Sequence, residues 1–139
     1  MLTAVLAVSN VVSVPVTDTA YGHIATNEDV TERLVGADTE TVVRSYFSDI
    51  PVMIQIARCE STFRHTLADG TVLKGRVDPA DTGVMQINAR YHGEKAEELG
   101  LDLKDLYGNM AYARDLYERQ GTKPWNASAP CWSKTIAMR

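Results

Sequence analysis

The sequence predicts a mainly helical α+β domain with a small β-insertion, and three observations carry that prediction. Amphipathic stretches with helix-start and helix-stop residues fill most of the chain from Thr39 onward. Between them, residues 66–88 change character, with the hairpin-turn pair Asp69-Gly70 and two short runs of strand-forming residues. The 139 residues suffice for one compact domain and are too few for two comfortable ones.

The elements follow in order. TETVVRSYF, from Thr39, has the spacing of a helix. Asp49 and Pro51 then restart one, with Asp49 expected as N-cap and Pro51 in the first turn, where its missing N–H costs nothing. This helix should run from Pro51 to about Thr62, bury Val52, Ile54 and Ile56 or their neighbours, and deliver Glu60 near its C-terminal end. After the Asp69-Gly70 turn, Thr71, Val72 and Leu73 read as a short strand ended by Gly75. Val84, Met85 and Ile87 read as a second, after Gly83. HGEKAEELGL is a short charged helix ending at Gly100. KDLYGNMAYARDLYERQG is a longer one, with Met110, Ala113, Leu116 and Tyr117 on one face and Gly121 as its stop. Trp125, Pro130, Cys131 and Trp132 form a compact aromatic C-terminal segment. No internal repeat or low-complexity tract appears.

The first residues stand apart. MLTAVLAVSNVVSVPVT carries no charge over seventeen residues and is rich in Val, Leu and Ala. It reads either as an export or anchoring segment or as a buried strand. The expected organisation is a signal or anchor segment over 1–20, a polar linker over 21–38 and a catalytic domain over 39–139.

Composition narrows the function classes. The net charge of −4 argues against nucleic acid as the main partner, since a phosphate backbone asks for a basic face. No CxxC and no clustered Cys/His pattern appears, so a zinc site is not expected, and the activity expected below implies no metal and no organic cofactor. The two cysteines, Cys59 and Cys131, leave two readings open: free buried thiols or one disulfide. A bridge would close a loop of about 70 residues, worth roughly 4 kcal/mol in the chain-entropy model, and would imply an oxidising compartment.

Two carboxylates stand out by position. Glu60 ends an apolar helix and neighbours Ile56, Ala57 and Phe63; Asp81 opens DTGVMQIN, 21 residues further on. A buried charge is costly unless it is paired, solvated or used. Cleaving a glycosidic bond needs a group that protonates the leaving oxygen, and a carboxylic acid does so near neutral pH only where an apolar setting raises its pKa. Glu60 has that setting. Asp81, amid Thr82, Gly83 and Gln86, is expected to stay ionised, as nucleophile or as stabiliser of a cationic transition state. Singly, each has a plainer reading: a Glu at a helix end is usually solvated, an Asp before a turn usually caps it, and GVMQIN is usually a strand.

In combination, "CESTF", "DTGVMQIN" and "LGLDLKDLYGNMAYARDLYERQG", in this order, resemble the lysozyme-like lytic transglycosylases. The likeness is greatest to the soluble-lytic-transglycosylase type associated with secretion systems and pili, and it spans about residues 50–132. In that family an E-S-x-F segment supplies the catalytic Glu, matched here by Glu60, Ser61 and Phe63. A G-[LVI]-M-Q-[IV]-N segment lines the cleft, matched by Gly83, Met85, Gln86, Ile87 and Asn88. A later N-x-x-x-A/G-x-x-x-L helix packs behind them, matched loosely by Asn109, Ala113 and Leu116. The resemblance implies a lysozyme-like fold with a β-hairpin beside the active-site cleft.

The resemblance also implies roles. Glu60 would be the general acid. Asp81 resembles the second catalytic carboxylate of animal-type lysozymes. Ser61, Gln86, Asn88, Tyr91, Trp125 and Asn126 would meet the sugar, and Tyr91, Trp125 and Trp132 serve equally well as core. In resuscitation-promoting factors, which share the fold, a Cys directly before the catalytic Glu pairs with a late Cys. Cys59 and Cys131 stand in matching places, which favours the disulfide and an extracytoplasmic location: secreted, periplasmic or envelope-associated. The implied partners are peptidoglycan glycan strands and cell-envelope machinery, with the chain itself a monomer.

The usual A-Y-N-A-G near the C-terminus is absent; Trp125-Asn126-Ala127-Ser128 stands in its place, and Tyr112 or Trp125 is the candidate to orient Glu60. We read the Asn126-Ala127-Ser128 sequon as chance, and His65 and His92 as surface or loop residues rather than catalysts. The expected activity is cleavage of the β-1,4 bond between N-acetylmuramic acid and N-acetylglucosamine, giving a 1,6-anhydro product. The alternatives are a lysozyme-type muramidase using Glu60 and Asp81, and a non-catalytic peptidoglycan-binding relic.

Overall fold

The computed structural model describes residues 38–137, so the expected export segment and most of the linker lie outside the described residues. Helix α1 (Thr39–Tyr46) starts on Asp38, whose Oδ1 accepts from the Thr41 amide at 2.9 Å, and buries Val42 and Val43. Helix α2 (Pro51–Ser61) carries Pro51 in its first turn, as expected. Its N-cap is Ile50, not Asp49, and no side chain caps it. The Asp49 carboxylate is instead held by both terminal nitrogens of Arg114, at 2.8 and 2.9 Å. A fork of charge-assisted bonds outcompetes one cap bond. Ile56 is buried on α2 as expected, together with the neighbours Met53 and Ala57, while Val52 and Ile54 are half-buried.

The β-region is smaller and more irregular than the sequence suggests. Strands β1 (Asp81–Thr82) and β2 (Ile87–Asn88) pair antiparallel, Asp81 opposite Asn88 and Thr82 opposite Ile87. The predicted strand at 71–73 contributes only single bridges, Thr66 to Val72 and Lys74 to Thr82. Val84 and Met85 are not strand residues; they lie in the turn between β1 and β2 and are fully buried there. Positive φ at Gly83 (74°) and Gln86 (49°) breaks the extended run at both ends of that turn.

The remaining helices close around this insertion. Helix α3 (Ala89–Glu98) starts three residues before HGEKAEELGL because Asn88 caps it, accepting from the Arg90 amide at 3.1 Å. Helix α4 (Leu106–Gln120) is capped by Asp105 and stopped at Gly121, and Met110, Ala113 and Leu116 are buried on its inner face. Tyr117 is only half-buried. The C-terminal segment is helical: a 3-10 helix (Lys123–Ser128) kinked at Trp125, then α5 (Ala129–Ala137), which packs against α2. Five α-helices and one two-stranded sheet among the described residues make this a mainly helical α+β fold.

One buried side chain holds the β-region to the helices. Asn109 of α4 is fully buried, donates to Thr82 O and Leu103 O at 2.9 Å each, and accepts from the Met85 amide at 3.0 Å. A Cβ on Gly83 would stand 2.6 Å from Asn109 Nδ2, so only glycine lets the turn approach. Asn109→Ala removes three buried hydrogen bonds to the backbone and is expected to destabilise by on the order of 3 kcal/mol. Urea unfolding checks this; an unchanged midpoint would show that the turn reseats itself.

Candidate active site

Glu60 sits one residue before the end of α2, where the helix leaves the core. The chain then turns sharply: Thr62 (φ 55°) and Phe63 (φ 57°) are both left-handed, and so is Gln86 (φ 49°). Non-glycine residues pay on the order of 1 kcal/mol each for this. Gln86 lines one small cleft together with Glu60, and such conformations concentrate in working sites.

The cleft has a volume of about 140 Å³ and is lined by Glu60, Asp81, Gln86, Ile87, Asn88, His92, Leu116, Pro124, Trp125 and Ala127. Of the expected site residues it therefore gathers Glu60, Asp81, Gln86, Asn88 and Trp125. Both carboxylates share it. Burial pushes the Glu60 carboxyl above the ordinary carboxylate range, a hydrogen bond from Ser128 opposes this, and the charge of Asp81 adds to the rise. Ile56, Ala57 and Phe63 are buried, and the apolar part of the cleft lining comes from Ile87, Leu116, Pro124 and Trp125.

Asp81 is placed by sheet register. The Asn88 amide, directly opposite, donates to Asp81 Oδ1 and to Asp78 Oδ2 at 2.9 Å each. With its oxygen capping α3, the Asn88 side chain is occupied in holding Asp81 and Asp78. Gln86 donates to Gly83 O at 2.8 Å, leaving its second N–H for a ligand. Gly75 lets this wall close: a Cβ there would meet Asp81 Cβ at 2.9 Å and Gln86 Oε1 at 3.2 Å.

Other expected contacts fall elsewhere. Ser61 is buried and donates back to Ala57 O at 3.0 Å, as helical serines do. Tyr91 is 74% exposed and outside the cleft lining. Asn126 is exposed and also outside it. Trp125 is buried at the cleft wall, its indole N–H donating to Met85 O at 2.9 Å. Trp132 is core, donating to Trp125 O at 3.1 Å.

Of the two histidines, His65 lies in a loop, as expected, but is buried there, and His92 lies on helix α3, half-buried. His65 is 4% exposed; its Nδ1 accepts from the Val84 amide at 3.1 Å and its Nε2 donates to Lys104 O at 2.8 Å. It fastens the β-region to the loop before α4. His92, on α3, forms part of the cleft wall and bonds Tyr112 Oη through Nδ1 at 3.1 Å. Burial, with a smaller push from Arg119, holds its pKa below the ordinary imidazole value, so it is neutral at neutral pH.

Neither Tyr112 nor Trp125 orients Glu60. That contact belongs to Ser128, whose Oγ lies 2.5 Å from Glu60 Oε1. Sequence reasoning passed over Ser128 as the end of a chance sequon. Its only signal was position, in the place of the missing A-Y-N-A-G. The Cys59–Cys131 disulfide is present, with Cα atoms 6.0 Å apart, and joins the residue before Glu60 to the residue three beyond Ser128.

A larger cavity of about 490 Å³ opens elsewhere, between Lys74, Thr82, α3 and the loop Gly100 to Lys104. It contains neither Glu60 nor Asp81, and its size gives it no chemistry of its own. Among the described residues, no helix is long and apolar enough to cross a membrane, and no group of His, Cys, Asp or Glu side chains is placed to hold a metal ion. Comparisons of the chain with protein-family models, with curated proteins and with solved structures found no match.

Proposed function

We propose that this protein is a peptidoglycan-cleaving lytic transglycosylase of lysozyme-like fold, working outside the cytoplasm. The observation that carries the reading is Glu60: a half-buried carboxyl, raised in pKa, lining a cleft that it shares with Asp81. A carboxyl that keeps its proton near neutral pH is what a glycosidic leaving group needs. The resemblance of the Glu60, Gln86 and Asn109 segments supplies the substrate class. The disulfide supports the compartment.

In the proposed reaction Glu60 gives its proton to the oxygen leaving C1 of N-acetylmuramic acid as that C–O bond breaks. The Glu60 carboxylate then takes the proton of the same sugar's C6 hydroxyl, whose oxygen bonds to C1 and closes the 1,6-anhydro ring. Asp81 stabilises positive charge as it develops at C1. Gln86 offers an N–H to the sugar.

A second reading is a muramidase that uses water in place of the C6 hydroxyl. The presence of Asp81 in the same cleft favours it, because a fixed second carboxylate is the usual equipment of a hydrolase. Mass spectrometry of the soluble products from purified peptidoglycan separates the two. Anhydro-muropeptides are expected. Reducing-end products, lost on Asp81→Asn, would move the assignment to hydrolysis, and a folded protein that releases nothing would sink both.

A further inference from the structure

We infer that Ser128 is the positioning residue that serves Glu60 in both its protonation states, its one hydroxyl proton turning between the Glu60 carboxylate and the Trp125 carbonyl. The inference rests on the reading of Glu60 as an acid that becomes a base.

The geometry is that of a two-way partner. Ser128 Oγ lies 2.5 Å from Glu60 Oε1 and 3.1 Å from Trp125 O. A hydroxyl has one proton to donate and lone pairs to accept with, so it cannot donate to both oxygens at once. When Glu60 is ionised, Ser128 donates to it, and the short separation suits a charge-assisted bond. When Glu60 is protonated, the acid's own O–H donates to Ser128 Oγ, and the serine proton turns to Trp125 O. That carbonyl already accepts from Trp132 Nε1 at 3.1 Å and has a second lone pair for the serine. No bond is made or broken at Ser128; only the rotor changes.

Among the described residues, Ser128 is the only side chain hydrogen-bonded to Glu60. Asp81 on β1 only accepts while ionised, and repels the Glu60 carboxylate. His92 on α3 has Nδ1 engaged with Tyr112 Oη. Leu116 is all that α4 contributes, and the 3-10 helix adds Pro124, Trp125 and Ala127, none of them charged. Arg58, on the helix of Glu60 itself, turns away to Thr135 Oγ1 at 2.8 Å. An acid that must give a proton and then take one back gains from a neighbour that satisfies both forms without moving heavy atoms.

The test is carbon-13 NMR of the full chain with labelled Glu side chains and a labelled Trp125 carbonyl, run across pH. Glu60 is assigned by loss of its signal in Glu60→Gln. In the parent, the Trp125 carbonyl is expected to titrate with the Glu60 midpoint. In Ser128→Ala, the carbonyl response disappears and the Glu60 midpoint moves upward, because a donor to the ionised form is gone. Ser128→Thr restores both. On peptidoglycan, Ser128→Ala lowers kcat by roughly tenfold, about the worth of one charge-assisted hydrogen bond, with KM unchanged. A flat Trp125 carbonyl in the parent overturns the inference. So does an unmoved Glu60 midpoint in Ser128→Ala, or a threonine that fails to restore it. The NMR readout needs no turnover. Titration as expected with no product from peptidoglycan leaves the hydroxyl assignment standing and removes the enzymatic reading.

Discussion

Glu60→Gln is expected to abolish the release of soluble muropeptides and to leave the protein at least as stable as its parent at neutral pH. The two halves have one cause. The carboxyl is half-buried at a cleft that Ile87, Leu116 and Trp125 help to line, and burial raises its pKa. In the proposed reaction that proton goes to the leaving sugar oxygen, and glutamine has none to give. A loss on the order of a thousandfold is expected for removal of a general acid. Stability follows from linkage. With a folded pKa above the unfolded one, the native state holds the proton more tightly. The resulting stabilisation is complete below the ordinary carboxylate range and is lost as pH rises through the raised value. Glutamine does not titrate, so the variant lacks this decline and overtakes its parent on going from acid to neutral pH. Thermal unfolding across that range measures the second half and product analysis the first. A variant that still releases parent levels of product would remove Glu60 from the mechanism.

How much of this arrangement was legible depended on the range of the contacts involved. Local signals were read correctly: Pro51 in the first turn of α2, Gly121 as the stop of α4, and a β-insertion after Asp69-Gly70. Contacts between distant segments were not. Asp49 has the residue type of an N-cap and loses that role to Arg114, 65 residues away, which also donates to Tyr46 O at 2.7 Å. Val84, Met85 and Ile87 have strand composition, yet Gly83 and Gln86 at positive φ fold most of the run into a turn. His65 is a loop residue, as expected, but its burial and the convergence of Val84 N and Lys104 O on its ring are long-range features. Ser128 reaches Glu60 across 68 residues with a hydroxyl that carries no motif. In the candidate cleft, then, the residues that bear charge announced themselves by type. The uncharged one that holds the acid became visible only through the packing of α2 against α5.

That packing is also where the second large effect is expected. Breaking the Cys59–Cys131 bridge, by Cys59→Ala with Cys131→Ala, should lower unfolding stability by about 4 kcal/mol, because the bridge closes a loop with a sequence separation of 72 and so restricts the unfolded chain. Its cysteines flank the Glu60–Ser128 hydrogen bond, so the same change acts on the site. The folded variant keeps other ties between the two helices: Arg58 of α2 still reaches Thr135 of α5, and Trp132 remains in the core. Well below its melting temperature the variant should therefore stay folded and lose activity only in part, as Glu60 and Ser128 drift from their 2.5 Å contact. Urea unfolding beside product release at low temperature distinguishes the two effects. An unchanged urea midpoint would mean that the unfolded chain is already compact around this loop. Full activity without the bridge would mean that the side-chain contacts between α2 and α5 are enough to keep the acid in place.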